Sequence, residues 1–266
     1  MIRSFRAEVL KLRRRSVLWG VGVVLPGFAV LATILGFVNA RDTAASGTSV
    51  IAGTNTTLEQ LAQAGGLTQG FSNAATFVGI IVFVLFLTSM TSEYGQGTLR
   101  VALTRQPRRE GMLAGKLFAL LGLTAAALLG AEAVSAVASV LLAHARDVST
   151  ADWFTGAGLA HTAADYGNAL LAAALFGVVG TALGVLLRST MLALAVGLAW
   201  IGPLEHIVQL SWSGAGRWFP GLLFDAVDLG GGDVTSYSRA LALSLAFASV
   251  LLVASGISFV RRDVTS

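Results

Sequence analysis

The sequence predicts an all-α polytopic membrane protein with six transmembrane helices, and three observations carry that prediction. Of 266 residues, 55% are hydrophobic and only 12% are charged, whereas a soluble domain carries about 25% charged residues. The charges cluster between six apolar runs of about twenty residues, the length that crosses a bilayer as a helix. The basic residues also gather in alternate connections, as they do where charge orients such helices in a membrane. No polar stretch reaches the roughly fifty residues that a soluble domain needs, so residues 17–266 read as one six-helix domain preceded by the segment 1–16.

In segment 1–16, Ile2, Phe5, Val9 and Leu12 recur at helical spacing on one face, while Arg3, Arg6, Lys11, Arg13 and Arg14 occupy the remainder. Only Leu10 breaks the pattern. This is a short basic amphipathic helix that lies along a membrane surface. It is either a topogenic anchor or, in addition, part of a docking surface. The basic start, the apolar run after it and Val38-Asn39-Ala40 loosely resemble a secretory leader. Both segments exceed the usual leader lengths, and cleavage would leave an odd number of spans.

The spans are placed at Val17–Val38, Phe71–Met90, Met112–Ala143, Gly167–Leu187, Thr190–Gln209 and Arg239–Val260. The third is long enough to tilt or to extend beyond one face, and Pro203 with Glu205 blurs the end of the fifth. Residues 39–70 are rich in Thr, Ser, Gly and Ala and form an outer loop with one short helix near Leu58–Ala64; the sequon Asn55-Thr56-Thr57 within it is incidental. Residues 210–238 form a second outer region, where Trp212, Trp218, Phe219, Pro220 and Phe224 stand among glycines. They suit short re-entrant helices or an interfacial aromatic belt.

Placing the N-terminus in the cytoplasm puts fourteen of the eighteen basic residues inside, leaving Arg41, Arg146, Arg217 and Arg239 outside. Asp42, Glu59, Asp147, Asp152, Asp165, Asp225, Asp228 and Asp233 then all fall outside. Both termini are therefore expected in the cytoplasm of a plasma membrane. The net charge of +4 reflects anchoring against anionic headgroups rather than a nucleic-acid face. Only Lys11 and Lys116 of the basic residues are lysine, an arginine bias that suggests a GC-rich bacterial source.

Enzymatic chemistry finds little support. Without cysteine there is no disulfide or thiolate site. His144, His161 and His206 lie in separate segments without metal-ligand spacing. No Gly-x-Ser-x-Gly elbow appears. The segment Gly111-Met-Leu-Ala-Gly115-Lys116 has one residue too few between its glycines for a phosphate-binding loop, and Leu117 follows the lysine. No cofactor is expected on this chain.

Residues 91–110 join the second and third spans. Thr98 is placed to cap a short helix in which Leu99, Ala102 and Leu103 share one face and Arg100 and Thr104 another. Gly95 and Gly97 permit the reversal before it, and Pro107 ends it. The pattern Glu93-Tyr94-x-x-Gly97-Thr98-Leu99-Arg100, then Leu103, Pro107-Arg108-Arg109 and Gly115-Lys116, resembles the first cytoplasmic loop of ABC-2 type transporter permeases. The opening Ala7-Glu8-Val9-Leu10-Lys11-Leu12-Arg13 is similar to that family's start.

The resemblance implies a permease subunit of an ATP-binding cassette exporter that moves an amphiphilic drug, lipid or peptide. In the family this loop is a cytoplasmic coupling helix seated in a separate ATPase subunit, with the N-terminal helix at the same interface. The ATPase-coupling residues implied are Glu93, Tyr94, Gly97, Thr98, Leu99, Arg100, Leu103, Arg105, Pro107 and Arg109, with Phe5, Glu8 and Lys11 on the N-terminal helix. ATP and Mg²⁺ belong to a partner ATPase dimer, and a second permease chain completes the complex, as a homodimer. An ATPase-independent carrier or channel, and a non-transporting membrane scaffold, are the alternatives.

Inside the apolar runs, Glu132 stands out, because an ionised carboxylate at mid-bilayer costs about 2.5–3.5 kcal/mol. It must face the bundle interior, a cavity or a partner chain. Glu132 and Glu205 either line a translocation path or make structural hydrogen bonds between helices. Small residues recur at Ala131, Ser135, Ser139 and Ala143, and at Gly180 and Gly184. They mark close helix contacts, within the chain or across a dimer.

Overall fold

The computed structural model describes residues 2–12, 15–40, 56–95 and 109–261, and every regular element among them is helical. In chain order these are α1 (Ile2–Leu12), α2 (Arg15–Asn39), α3 (Leu58–Ala62), α4 (Gln69–Asn73), α5 (Ala75–Gly95), α6 (Arg109–Ala145) and α7 (Gly156–Leu187). Then come α8 (Thr190–Ala199), a π-helical turn (Trp200–Leu204), α9 (Glu205–Ser211), a 3₁₀ turn (Ala215–Arg217), α10 (Pro220–Asp228) and α11 (Tyr237–Arg261). Six segments are long and apolar enough to cross a membrane: Val17–Asn39, Phe77–Gly95, Gly111–Ala145, Gly156–Leu187, Thr190–Ser211 and Tyr237–Arg261. The chain is thus an all-α, multi-pass membrane protein.

The predicted edges shift in three places. The second span does not start at 71, because the chain breaks at Ala74 and Phe71 belongs to the separate helix α4. Helix α5 instead runs on to Gly95 and carries Glu93 and Tyr94, which the sequence had assigned to the loop. The fourth helix starts at Gly156 rather than 167, since the Thr155 side chain accepts the Gly158 amide as an N-cap. Asp165 therefore lies within a helix and not in an outer loop. Its carboxylate is satisfied there by the Thr68 hydroxyl, and Asn168 one turn on accepts from Tyr237. The fifth span is not one regular helix. Pro203 has no amide hydrogen to donate, and the backbone widens into a π turn around it.

Helix α7 is the hub, with 61% of its most apolar window buried against 22% for the fifth and sixth spans. Its partners are α5, α10 and α11, and α2 packs along α6 on the far side. The contact between α5 and α7 is close because of Gly180: a Cβ there would lie 2.4 Å from the Phe83 carbonyl oxygen. The other small-residue stripe also turns inward. Ala131, Ser135, Ser139 and Ala143 are all fully buried, and the Ser135 hydroxyl is 2.8 Å from that of Thr33 on α2. Both stripes serve packing within the chain.

One end of the bundle gathers Lys11, Lys116, Arg188 and Arg261 around a cluster of Met90, Met112, Leu113, Val185 and Phe259. The opposite end is closed by Phe37, Leu61, Leu67, Ala143 and Trp153. There the Trp153 indole donates to the Leu61 carbonyl at 2.9 Å and holds α3 against the bundle. The capping box of Thr57 and Gln60 starts α3, which ends at Ala62, two residues short of the predicted helix.

Candidate functional site

At the basic end, four charged side chains from three helices form a closed node. Glu8 and Lys11 come from α1, Glu93 from the last turn of α5, and Lys116 from the second turn of α6. The Lys11 ammonium donates to Glu8 Oε1 at 2.6 Å and to Glu93 Oε1 at 2.8 Å. Lys116 lies 2.8 Å from the same Glu93 oxygen and 3.4 Å from Glu8 Oε2. Each lysine thus bridges both glutamates and the node is formally neutral. The two lysines in this arginine-rich chain are the two found here. A compact ammonium with three donors fits between two carboxylates in a way that a planar guanidinium does not.

The node is closed on one side and open on the other. Glu8, Glu93 and Lys116 are 7%, 8% and 3% exposed, while the Lys11 side chain is half exposed. Burial by itself would lower the Lys11 pKa, but the hydrogen bonds it donates to Glu8 and Glu93, together with their negative charges, outweigh it and hold the value above the ordinary 10.5. The stability that this ammonium contributes is therefore complete below pH 10.5 and is lost only as pH climbs through the raised value.

Two further ties act on the same turn of α5. Arg188, at the left-handed end of α7 (φ 53°), sets its guanidinium 5.4 Å from the centre of the Tyr94 ring. The Thr190 hydroxyl at the start of α8 donates to that of Thr91 at 2.8 Å. The last turn of α5 is therefore fastened to α1, α6, α7 and α8 at once. The described chain breaks off directly after it, at Gly95, and resumes at Arg109.

Of the predicted coupling residues, Glu93 and Tyr94 stand in this node and its margin, and Glu8 and Lys11 complete it. Phe5 is exposed on α1 beside them, at 39%. Gly97, Thr98, Leu99, Arg100, Leu103, Arg105 and Pro107 lie outside the described residues, as does the side chain of Arg109. The carboxylates of Glu8 and Glu93 turn inward to the two lysines. Sequence reasoning missed Lys116, Arg188, Thr91 and Thr190 as site residues. Two signals pointed to Lys116: the rarity of lysine and its place in the Gly115-Lys116 pair of the family-like pattern.

The two intramembrane candidates are placed far from the node and from each other's role. Glu205 is fully buried and accepts the Leu222 amide at 3.0 Å, so its carboxylate caps the N-terminal turn of α10. Gly221 makes room for it, since a Cβ there would stand 2.6 Å from Glu205 Oε2. Glu205→Ala is expected to undock α10 and to lower stability by about 1–3 kcal/mol, read by thermal unfolding of the purified protein; an unchanged midpoint would refute the capping role. Glu132 sits at 6% exposure on α6, and its Oε1 has no hydrogen-bond partner among the described residues.

Comparison with curated proteins gave no match. The family model for ABC-2 family transporter proteins matches residues 4–223, a stretch that contains the whole node, Glu132 and Glu205. The chain belongs to the ABC-2 transporter family.

Proposed function

We propose that the chain is the membrane-spanning permease subunit of an ATP-driven exporter. It couples hydrolysis on a separate ATPase dimer, which carries ATP and Mg²⁺, to movement of an amphiphilic drug, lipid or peptide across the plasma membrane. It works with a second copy of itself, and the basic end faces the cytoplasm, an orientation that the charge asymmetry supports.

The observation that carries this reading is the node of Glu8, Lys11, Glu93 and Lys116 at the root of segment 96–108. An element inserted between α5 and α6 transmits force only if both its roots are stiff. The node joins those two helices to each other and to α1, and the Arg188 and Thr91 contacts extend the joint to α7 and α8. A push on the loop therefore moves the cytoplasmic ends of the spans together instead of bending one of them. The amphipathic pattern of residues 98–106 supplies the face that a partner would push.

The test is reconstitution of the chain with its ATPase in vesicles. Arg100→Ala is expected to leave ATP turnover in place and to abolish ATP-dependent transport. Normal transport by that variant, or transport by the chain with no nucleotide-consuming partner, would refute the coupling role and favour a carrier.

A further inference from the structure

The fifth and sixth spans leave a gap between them. Helix α8 packs against α5 and α7, and α11 packs against α7 and α10. Between them lies a cavity of about 250 Å³, walled by α7, α8, the π turn, α10 and α11. Its walls are pinned from behind, which keeps it from closing. Gly197 of α8 is pressed against Phe83, where a Cβ would stand 2.1 Å from the ring. Phe224 of α10 is fixed edge-on to Phe176 with ring centres 5.0 Å apart, and Glu205 caps the start of that helix.

The cavity is a slot that runs along the helices. Three spanning segments each line it with a pair of residues four apart: Val179 and Leu183, Val196 and Trp200, and Phe247 and Leu251. Residues at that spacing stack along one face of a helix, so the slot follows the helix axes and with them the direction of the lipid tails. Its depth is central. Phe247 lies ten residues after the start of α11 and Leu251 ten residues before its end, about 15 Å from either one. In a hydrocarbon layer about 30 Å thick, that is the middle of the bilayer.

One side of the slot is open. Val196, Trp200 and Phe247 are exposed at its mouth, on spans that meet lipid, while Val179, Ile201 and Phe224 form a buried floor. Every lining residue is apolar or glycine, so nothing there holds a charge or a polar head. A cavity of about 150 Å³ with such walls takes benzene, and this one is larger. A gap between helices forfeits dispersion contacts along its walls. Inside a bilayer no hydrophobic force draws a scarce apolar solute into the gap, because lipid tails are as apolar as the walls. The occupant must already be abundant at that depth, and the tails of the bilayer lipids are.

We propose that this slot is a binding site for one acyl chain of a bilayer lipid, whose methyl-terminal half enters between Val196 and Phe247 and lies on Phe224. The chain completes a contact between the fifth and sixth spans that the protein's own side chains leave open. The lipid headgroup stays at the membrane surface, about 15 Å away, so the site selects for the hydrocarbon chain and not for the head.

The experiment places the purified full-length chain in phosphatidylcholine nanodiscs in which part of the lipid carries a photoactivatable diazirine. The diazirine sits either near the methyl end of one chain or next to its ester, and adducts are mapped by proteolysis and mass spectrometry. The methyl-end probe is expected to label Ile201 and Phe224 on the floor, as well as Val250, which is exposed to lipid at the same depth on α11. The ester probe is expected to label none of the three. Val179→Phe puts a ring into the slot and is expected to abolish the floor adducts while sparing those on Val250. Adducts on Val250 alone in the parent chain would overturn the proposal and leave the slot to a second copy or to cargo. Equal floor labelling by both probes, or floor adducts undiminished in Val179→Phe, would also overturn it. The two probes in the parent chain decide the matter even where the variant fails to fold. No ATPase or cargo takes part, so the result leaves the exporter reading as it stands.

Discussion

Glu93→Ala is expected to cost about 3–5 kcal/mol of stability, because it strands an ammonium that the fold has already desolvated. Lys116 is 3% exposed, and its remaining partner would be Glu8 Oε2 at the longer distance of 3.4 Å. Thermal unfolding of the purified chain measures the loss. The double variant Glu93→Ala/Lys116→Met is expected to recover most of it, since removing both charges of a buried pair is often close to neutral while removing one is not. The double variant is also expected to remain defective in ATP-dependent transport, because an apolar patch does not hold α1, α5 and α6 in register as the four-charge ring does. Equal stability of Glu93→Ala and the parent would mean that the node contributes no strength. Full transport by the double variant would mean that its strength is not used.

Replacing Gly180 acts through shape alone. A Cβ at that position lies 2.4 Å from a backbone oxygen of α5, at Phe83, and backbone cannot swing aside as a side chain end can. Gly180→Val is therefore expected to force α5 and α7 apart and to cost about 1–3 kcal/mol or more. The contact is central, since α5 and α7 also bring together Phe83, Leu87, Phe176 and Val179 of one large apolar cluster. Gly180→Val is predicted to lower the thermal midpoint much more than Gly122→Val, because a Cβ at Gly122 meets nothing within 4 Å. Similar midpoints for the two variants would refute the close packing of these helices.

These two predictions differ in how visible their basis was beforehand. Gly180 and Gly184 announced a close helix contact by their spacing, although not which helix they met. The node was not visible as a node. Glu8, Lys11, Glu93 and Lys116 all belong to segments that resemble the family, and Glu8, Lys11 and Glu93 had been assigned to an interface with another protein. Their inward orientation follows from the rotation of α1 and α5 about their axes, which packing decides. Glu205 is a similar case: the sequence suggested either a place on a translocation path or structural hydrogen bonds, and the amide of Leu222 identifies it as a cap on α10.

The sequence by itself determined the class of the molecule, the number of spans, the asymmetry of charge between its two ends and the family. Each of these depends on local properties: the length of an apolar run, the absence of charge within it, and residues at fixed offsets along one segment. Only the tertiary structure decided which charges neutralise one another and which remain unmet. Lys11 and Glu93 are 82 residues apart in the chain, and Glu8 and Lys116 are 108 apart. Groups so distant become partners only after the helices carrying them have packed, and no periodicity or composition records that outcome. The same holds for Glu132 Oε1 and Asp228 Oδ2, buried without a hydrogen-bond partner among the described residues, which only the assembled helices reveal.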